Sequence, residues 1–417
     1  MGLDDDVRAG RGGHRGNVTT RRIDVLDVLR GVAIMGTLGT NIWIFTSPQG
    51  PAGIMDALGG TGGVETFLRF LTNGKFLALL TLLFGVGMEL QYRSALRRGH
   101  TWPGWYLWRA ALLFAEGLLH YVLIFEFDVL MGYAVVSVLV AFLIGRSDRV
   151  VRAWMIATGS VFAAVVGLIT LALLSGAAST TSSPASAPST LFSDGSYLDQ
   201  VAARIHLFGL YRIEAVFIVP LGVVLFLLGS RLVRAGVFED SERGSTLRRR
   251  LMVVGVVGAP LNLLTSFAGD AWFLVDRYLL PSLVALGLLG LVTTVAHRMR
   301  GCRGVVHEGL TAVGRMALSC YVFQNLVGAA LCYGWGLGLA SRFDGLRPWW
   351  VVGAWAGICV MLMTFSTLWL RRFERGPLEL LWQWAYTAPQ RRRPAGRAGH
   401  QVDPVTDDKI ADNSLQS

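Results

Sequence analysis

Apolar stretches of roughly 17 to 23 residues recur down this chain between short arginine-bearing tracts, and they limit what it can become. At a rise of ~1.5 Å per residue, each stretch matches the ~30 Å hydrocarbon layer of a bilayer when coiled as a helix. In lipid every backbone N–H and C=O needs a partner within the protein, and a helix supplies these inside one segment. The runs fall at 25–45, 76–92, 106–125, 129–144, 153–175, 215–233, 251–268, 279–296, 311–333 and 349–370. The expected fold is therefore all-α, a polytopic transmembrane helical bundle of about ten spans. Only 16% of residues are charged against 53% hydrophobic, too little charge to cover a soluble protein of 417 residues.

The net charge of +10 invites a nucleic-acid partner, but its distribution argues against one. Thirty Lys and Arg lie in one alternating set of gaps (1–22, 93–109, 146–152, 231–250, 298–315 and 371–417), and seven in the other set. The positive-inside bias makes the rich set cytoplasmic, so both termini are expected there. Residues 1–22 read as a disordered tail. No cleavage pattern follows the first run, which is expected to stay as a signal anchor. The order is then a first bundle of about five helices (23–175), an exterior Ser/Thr/Pro-rich linker (176–211), a second bundle of about five (212–386) and a disordered cytoplasmic tail (387–417). Val64, Phe67, Leu68 and Leu71 recur at helical spacing and predict a short interfacial helix before the second span. Cys302, Cys320, Cys332 and Cys359 have no metal-ligand spacing and read as free thiols. Gly85 and Gly87 are expected to allow close helix approach, and Tyr333, Trp335, Trp349 and Trp350 to form an exterior aromatic belt.

Ionisable groups at membrane depth cost several kcal/mol unless paired or hydrated, so each is a functional candidate. Asp27 and Arg30 are three residues apart and can pair, leaving Arg30 to face a cytoplasmic cavity. Glu116 and His120 share a helix face, where the carboxylate can orient the imidazole, and Asp128 follows at the helix mouth. Counting the rise per residue puts Asn41 ~24 Å, His120 ~21 Å and Gln324 with Asn325 ~20 Å above the cytoplasmic starts of their spans. These four are expected in one layer of the outer half of the bilayer. Packing as helix–helix glue is the competing explanation for each.

The opening RIDVLDVLRGVAIMGTLGTNI resembles the N-terminal signature of the YeiB-type family of bacterial membrane proteins of unassigned function. GKFLALLTLLFGVGMEL and GLLHYVLIFEFDVLMGYA are similar to its next segments, and VGRMALSCYVFQNLV, CYGWGLGL and LWLRRFERGPLELLWQW to its defining C-terminal domain. The chain departs from the family where it carries Cys320 in place of the usual Asn, Asn325 in place of Ser, and Glu116, which is no family hallmark. The family in turn resembles, more distantly, the transmembrane acyltransferases that move acyl groups from cytoplasmic acyl-CoA across the membrane using an intramembrane His. That likeness implies a location in the bacterial cell (inner) membrane. It also implies acyl-CoA as co-substrate with no tightly bound cofactor, and an envelope sugar or lipid acceptor. Arg30 and Arg315 would meet the phosphates, His120 with Asp128 would be catalytic, and Asn41 or Gln324 would donate to the oxyanion. A transporter with His120, Glu116 and Asp128 as a proton relay is the alternative, and a scaffold or sensor without turnover the third.

Overall fold

The computed structural model describes residues 6–53, 62–176, 190–299 and 304–391, and among these every regular element is helical. The principal helices are α1 (Asp6–Phe45), α2 (Gly63–Thr72), α3 (Lys75–Arg97), α4 (Tyr106–Leu123), α5 (Leu130–Leu143), α6 (Asp148–Leu174) and α7 (Tyr197–His206). They continue as α8 (Ala215–Ala235), α9 (Glu242–Ser266), α10 (Leu280–Arg298), α11 (Val305–Arg315), α12 (Ala317–Cys332), α13 (Trp349–Trp369) and α14 (Pro377–Arg391). Among the described residues, six helices or joined pairs are long and apolar enough to cross a membrane: Asp24–Phe45, Gly63–Arg97, Asp148–Leu174, Phe208–Ala235, Val275–Arg298 and Trp349–Trp369. Leu130–Leu143 and Ala317–Cys332 are apolar but shorter. All ten runs expected from the sequence fall on helix, and the chain is a membrane-embedded helical bundle.

Lipid tails are as apolar as leucine, so helices here associate through close packing and not through expulsion of water. Glycine makes that approach possible along α1, whose Asp27–Gly31 turn runs against α11. A Cβ on Gly31 would stand 2.1 Å from the Leu310 carbonyl oxygen, and one on Gly314 1.8 Å from that of Asp27. Gly85 does the same for α3 on α8, where a Cβ would lie 2.1 Å from the Phe226 carbonyl oxygen. Gly87 behaves differently. Its missing Cβ meets nothing within 4 Å, because it lines a cavity.

Several expectations need correction. The run at 311–333 is two helices broken at Met316, because the Glu379 carboxylate of α14 caps the start of α12, accepting from the amides of Leu318 (2.9 Å) and Ser319 (3.2 Å). Helix α1 begins at Asp6, inside the stretch read as an unstructured tail. That stretch holds no proline, and a helix already nucleated by the span extends without a second nucleation step, although Gly10, Gly12, Gly13 and Gly16 each oppose it. The linker is helical in its second half, where Ser196 and Asp199 form a capping box at the start of α7; residues 177–189 and 392–417 lie outside the described residues. Tyr333 is no belt residue. It is fully buried between Phe45 and Phe192, under a segment tied on by the Gly334 amide to the Phe192 carbonyl at 2.9 Å. The stretch expected as a short interfacial helix is helical, as α2, with Val64, Phe67 and Leu71 exposed, and it runs into α3 as part of the apolar stretch Gly63–Arg97. Cys320, Cys332 and Cys359 are buried free thiols, and Cys302 lies outside the described residues.

Candidate functional site

Helices α4 and α5 form a hairpin whose connection, 124–129, carries Asp128 back over the last turn of α4. Gly117 lets it do so: a Cβ there would sit 2.6 Å from the Met131 amide and 2.9 Å from Asp128 Oδ2. Asp128 Oδ2 accepts from the first amides of α5, Leu130 at 2.9 Å and Met131 at 3.3 Å. Its Oδ1 lies 2.9 Å from His120 Nδ1. On the other side of the ring, Asn325 Nδ2 is 3.2 Å from Nε2, and Asn41 Nδ2 donates to Asn325 Oδ1 at 3.0 Å. Since Asn41 occupies the Asn325 oxygen, Asn325 presents its amino group to the imidazole, which places the ring proton on Nδ1 facing Asp128. Three helices thus supply one relay, Asn41 to Asn325 to His120 to Asp128, and His120, Asp128 and Asn325 are 3% exposed or less.

Three of the four residues expected in one layer therefore meet by hydrogen bonds. Gln324 does not join them: its Nε2 turns to Thr37 Oγ1 on α1 at 3.4 Å, one helical step away from the Asn325 face. The expected Glu116–His120 pair is not made either, because both imidazole nitrogens are already occupied. Glu116 lies instead along a cavity, and neither of its carboxylate oxygens, both shielded from solvent, has a hydrogen-bond partner among the described residues.

That cavity has a volume of about 710 Å³. Arg30, Arg109, Arg315 and Arg375 stand at its charged end, with Gln383 and Tyr386 of α14. Arg30 holds Asp27 Oδ1 at 2.9 Å, as its spacing predicted, and Arg315 donates to the Glu374 carbonyl at 3.3 Å. The Arg109 guanidinium lies over the Trp382 ring at 4.5 Å. The walls become apolar inward, through Leu113, Ile34, Leu83 and Phe84, and the far end is closed by Tyr133, Val129 and Tyr321. Tyr321 faces the relay from there. Its hydroxyl donates to Asp128 Oδ1 at 3.4 Å, and its ring centroid is 5.1 Å from that of His120.

Sequence reasoning missed the residues that fix this geometry from above. Arg204 of α7 is 1% exposed; it bonds Glu126 Oε1 at 2.8 Å and the carbonyls of Val122 and Ile124 at 3.3 and 3.2 Å. Arg212 donates to the Asp128 carbonyl at 2.8 Å and to that of Glu126, and stacks on Tyr121 at 4.2 Å. Two guanidiniums thus hold alternate carbonyls along the segment that delivers Asp128. The signal available was the S-x-x-D capping box at 196–199, which announces a helix inside the linker. Tyr321, Arg109 and the whole contribution of α14 were missed because nothing local marks them.

A family model described as a protein of unknown function (DUF418) matches residues 232–388, from the end of α8 through most of α14. Over most of the chain, the uncharacterized protein YxaH of Bacillus subtilis (strain 168) is 27% identical across 396 residues, covering 88% of this chain and 94% of the relative. The uncharacterized protein YeiB of Escherichia coli (strain K12) is 29% identical across 389 residues, covering 86% and 94%. An uncharacterized 39.9 kDa protein in the amylase 3′ region of Bacillus acidopullulyticus is 26% identical across 381 residues. These alignments extend well beyond the family-model match.

Proposed function

We propose that this chain, which is similar to the uncharacterized proteins YxaH and YeiB over most of its length, is an acyltransferase-like membrane protein, moving an acyl group from a cytoplasmic acyl-CoA to an acceptor hydroxyl on the other face. The arginine-rich end is read as cytoplasmic from the positive-inside bias. The observation that carries the reading is the cavity: four arginines at one end, apolar walls, and a far end one side chain away from a His–Asp pair. The anionic phosphates of such a donor match the arginine end, because guanidinium forks bind phosphate oxygens with charge-assisted bonds.

In the reaction, the acceptor hydroxyl displaces Asn325 from His120 Nε2 and gives its proton to that nitrogen as its oxygen attacks the thioester carbonyl. Asp128 on Nδ1 stabilises the imidazolium that forms. The C–S bond breaks, the ester C–O bond remains, and the imidazolium proton passes to the departing thiolate, leaving CoA thiol and neutral His120. Asn325 is the amide donor nearest the reacting centre, in the place that Asn41 or Gln324 was expected to fill. The arrangement described is a closed one, since His120 lines neither the large cavity nor the small one beside it.

Binding of CoA to the protein in lipid nanodiscs tests the donor site. Arg109→Gln and Arg315→Gln are each expected to weaken it about tenfold or more, as loss of a charge-assisted bond of about 1.5–3 kcal/mol requires. Absence of CoA binding to wild type would end the reading. A transporter is the second reading, favoured by the unpartnered Glu116 carboxylate beside a cavity sealed at one end; solute flux into vesicles without thioester cleavage would establish it.

A further inference from the structure

The large cavity and a second, smaller one of about 30 Å³ meet back to back. They share three lining residues, Leu80, Val129 and Tyr321. On its own side the small cavity is lined by Thr37, Thr40, Asn41 and Arg277 together with Leu77 and Phe127, and its volume suits one or two waters. The three shared side chains are well buried, Leu80 at 8%, Val129 at 7% and Tyr321 at 6% exposure, so little free space remains in the wall they form. Tyr321 is the member that also touches the relay, through Asp128 and the His120 ring.

We propose that this wall, and Tyr321 above all, sets the length of acyl chain the protein accepts, restricting it to short acyl thioesters. The inference rests on the acyl-CoA reading and deepens it. A ligand anchored by its phosphates at the arginine end has a fixed reach. Along α4, Arg109, Leu113 and Glu116 line the cavity, and His120 lies eleven residues beyond Arg109, ~16 Å further along the helix. The arm of the donor spans that distance and its carbonyl carbon arrives beside Tyr321. Any carbons beyond the carbonyl have to enter the space occupied by Leu80, Val129 and the tyrosine ring. A buried wall of this kind tolerates a methyl or two and rejects longer chains, since forcing methylenes into packed protein costs about 1–3 kcal/mol.

The experiment is kcat/KM for CoA release from acetyl-, hexanoyl- and dodecanoyl-CoA by the full chain in lipid, compared among wild type, Tyr321→Ala, Leu80→Ala and Tyr321→Phe. Wild type is expected to favour acetyl-CoA. Tyr321→Ala and Leu80→Ala open the wall and shift the hexanoyl-to-acetyl ratio at least tenfold toward hexanoyl. Tyr321→Phe keeps the ring and therefore the wild-type ratio, whatever losing the hydroxyl to Asp128 does to the rate. A ratio is unaffected by general loss of folded protein, and Leu80→Ala provides the test should the tyrosine variant fail to fold. Wild type that takes dodecanoyl-CoA as readily as acetyl-CoA, or wall variants with an unchanged ratio, would overturn the inference and leave the acyltransferase reading standing. Failure of wild type to release CoA from any chain length would overturn both.

Discussion

Gly85 and Gly87 stand two residues apart in the sequence FGVG, and the structure gives them opposite consequences. A Cβ at Gly85 would stand 2.1 Å from the Phe226 carbonyl oxygen, an atom of the α8 backbone that cannot turn aside. Gly85→Ala is therefore expected to cost about 1–3 kcal/mol, as overpacking does. A Cβ at Gly87 meets nothing, so Gly87→Ala relieves the backbone-entropy cost of a mid-helix glycine and stabilises by about 0.5–1 kcal/mol. Gly87→Trp keeps that fold and fills the cavity. An indole taking the place of about 150 Å² of ligand contact forfeits about 4 kcal/mol at 25 cal/mol per Å², on the order of 10³ in affinity. Part of that is offset because fewer ligand atoms are then ordered, so the expected loss of CoA affinity lies between about tenfold and 10³-fold. Thermal unfolding in nanodiscs reads the first two variants and CoA titration reads the third. A Gly87→Trp protein that binds CoA as wild type does would refute the placement of the donor in this cavity. Equal thermal stability of the two alanine variants would refute the packing argument.

Asp128→Asn removes the carboxylate charge from His120 but keeps an oxygen for the amides of Leu130 and Met131; CoA release is expected to slow by about 10²–10³, with CoA affinity within twofold of wild type, in steady-state kinetics beside titration. Arg212→Gln frees the Glu126 and Asp128 carbonyls, so thermal stability should drop by about 1.5–3 kcal/mol and release should slow with it. An unchanged melting temperature would show that the clamp is idle. The Ser196 hydroxyl and backbone amide hold the Asp199 carboxyl below the usual carboxylate range. A depressed folded value means that the cap stabilises α7 at neutral pH and releases it as the pH falls through that value. Hydrogen exchange in 197–206 should accelerate in acid beyond its intrinsic rate, and Asp199→Asn should abolish that extra pH dependence.

The membrane character was legible because hydrocarbon imposes one length and one polarity on any helix that crosses it, and both are local properties. The Asp27–Arg30 pair was legible for the same reason, being one helical step. The relay was only half legible. Asn41, His120 and Asn325 share a depth that residue counting reveals, but their contact depends on how α1, α4 and α12 rotate and tilt. Gln324, beside Asn325 in sequence, illustrates the limit: depth cannot tell which of two neighbours faces inward. Glu116 shows the converse, since i, i+4 spacing permits a contact that Asp128 and Asn325 had already claimed from other elements. Arg204 and Arg212 sat in a segment whose Ser/Thr/Pro-rich first half masked the capping box of the second. The wall formed by Leu80, Val129 and Tyr321 joins three helical neighbourhoods and has no sequence signature at all.

The central claim is that His120 does chemistry on a CoA thioester, and CoA release from acetyl-CoA by the purified protein in lipid tests it most directly, wild type against His120→Ala with candidate hydroxyl acceptors present. The account predicts release by wild type and a loss of about 10²-fold or more in the variant, with CoA binding and melting temperature retained. Equal release by both proteins would contradict it.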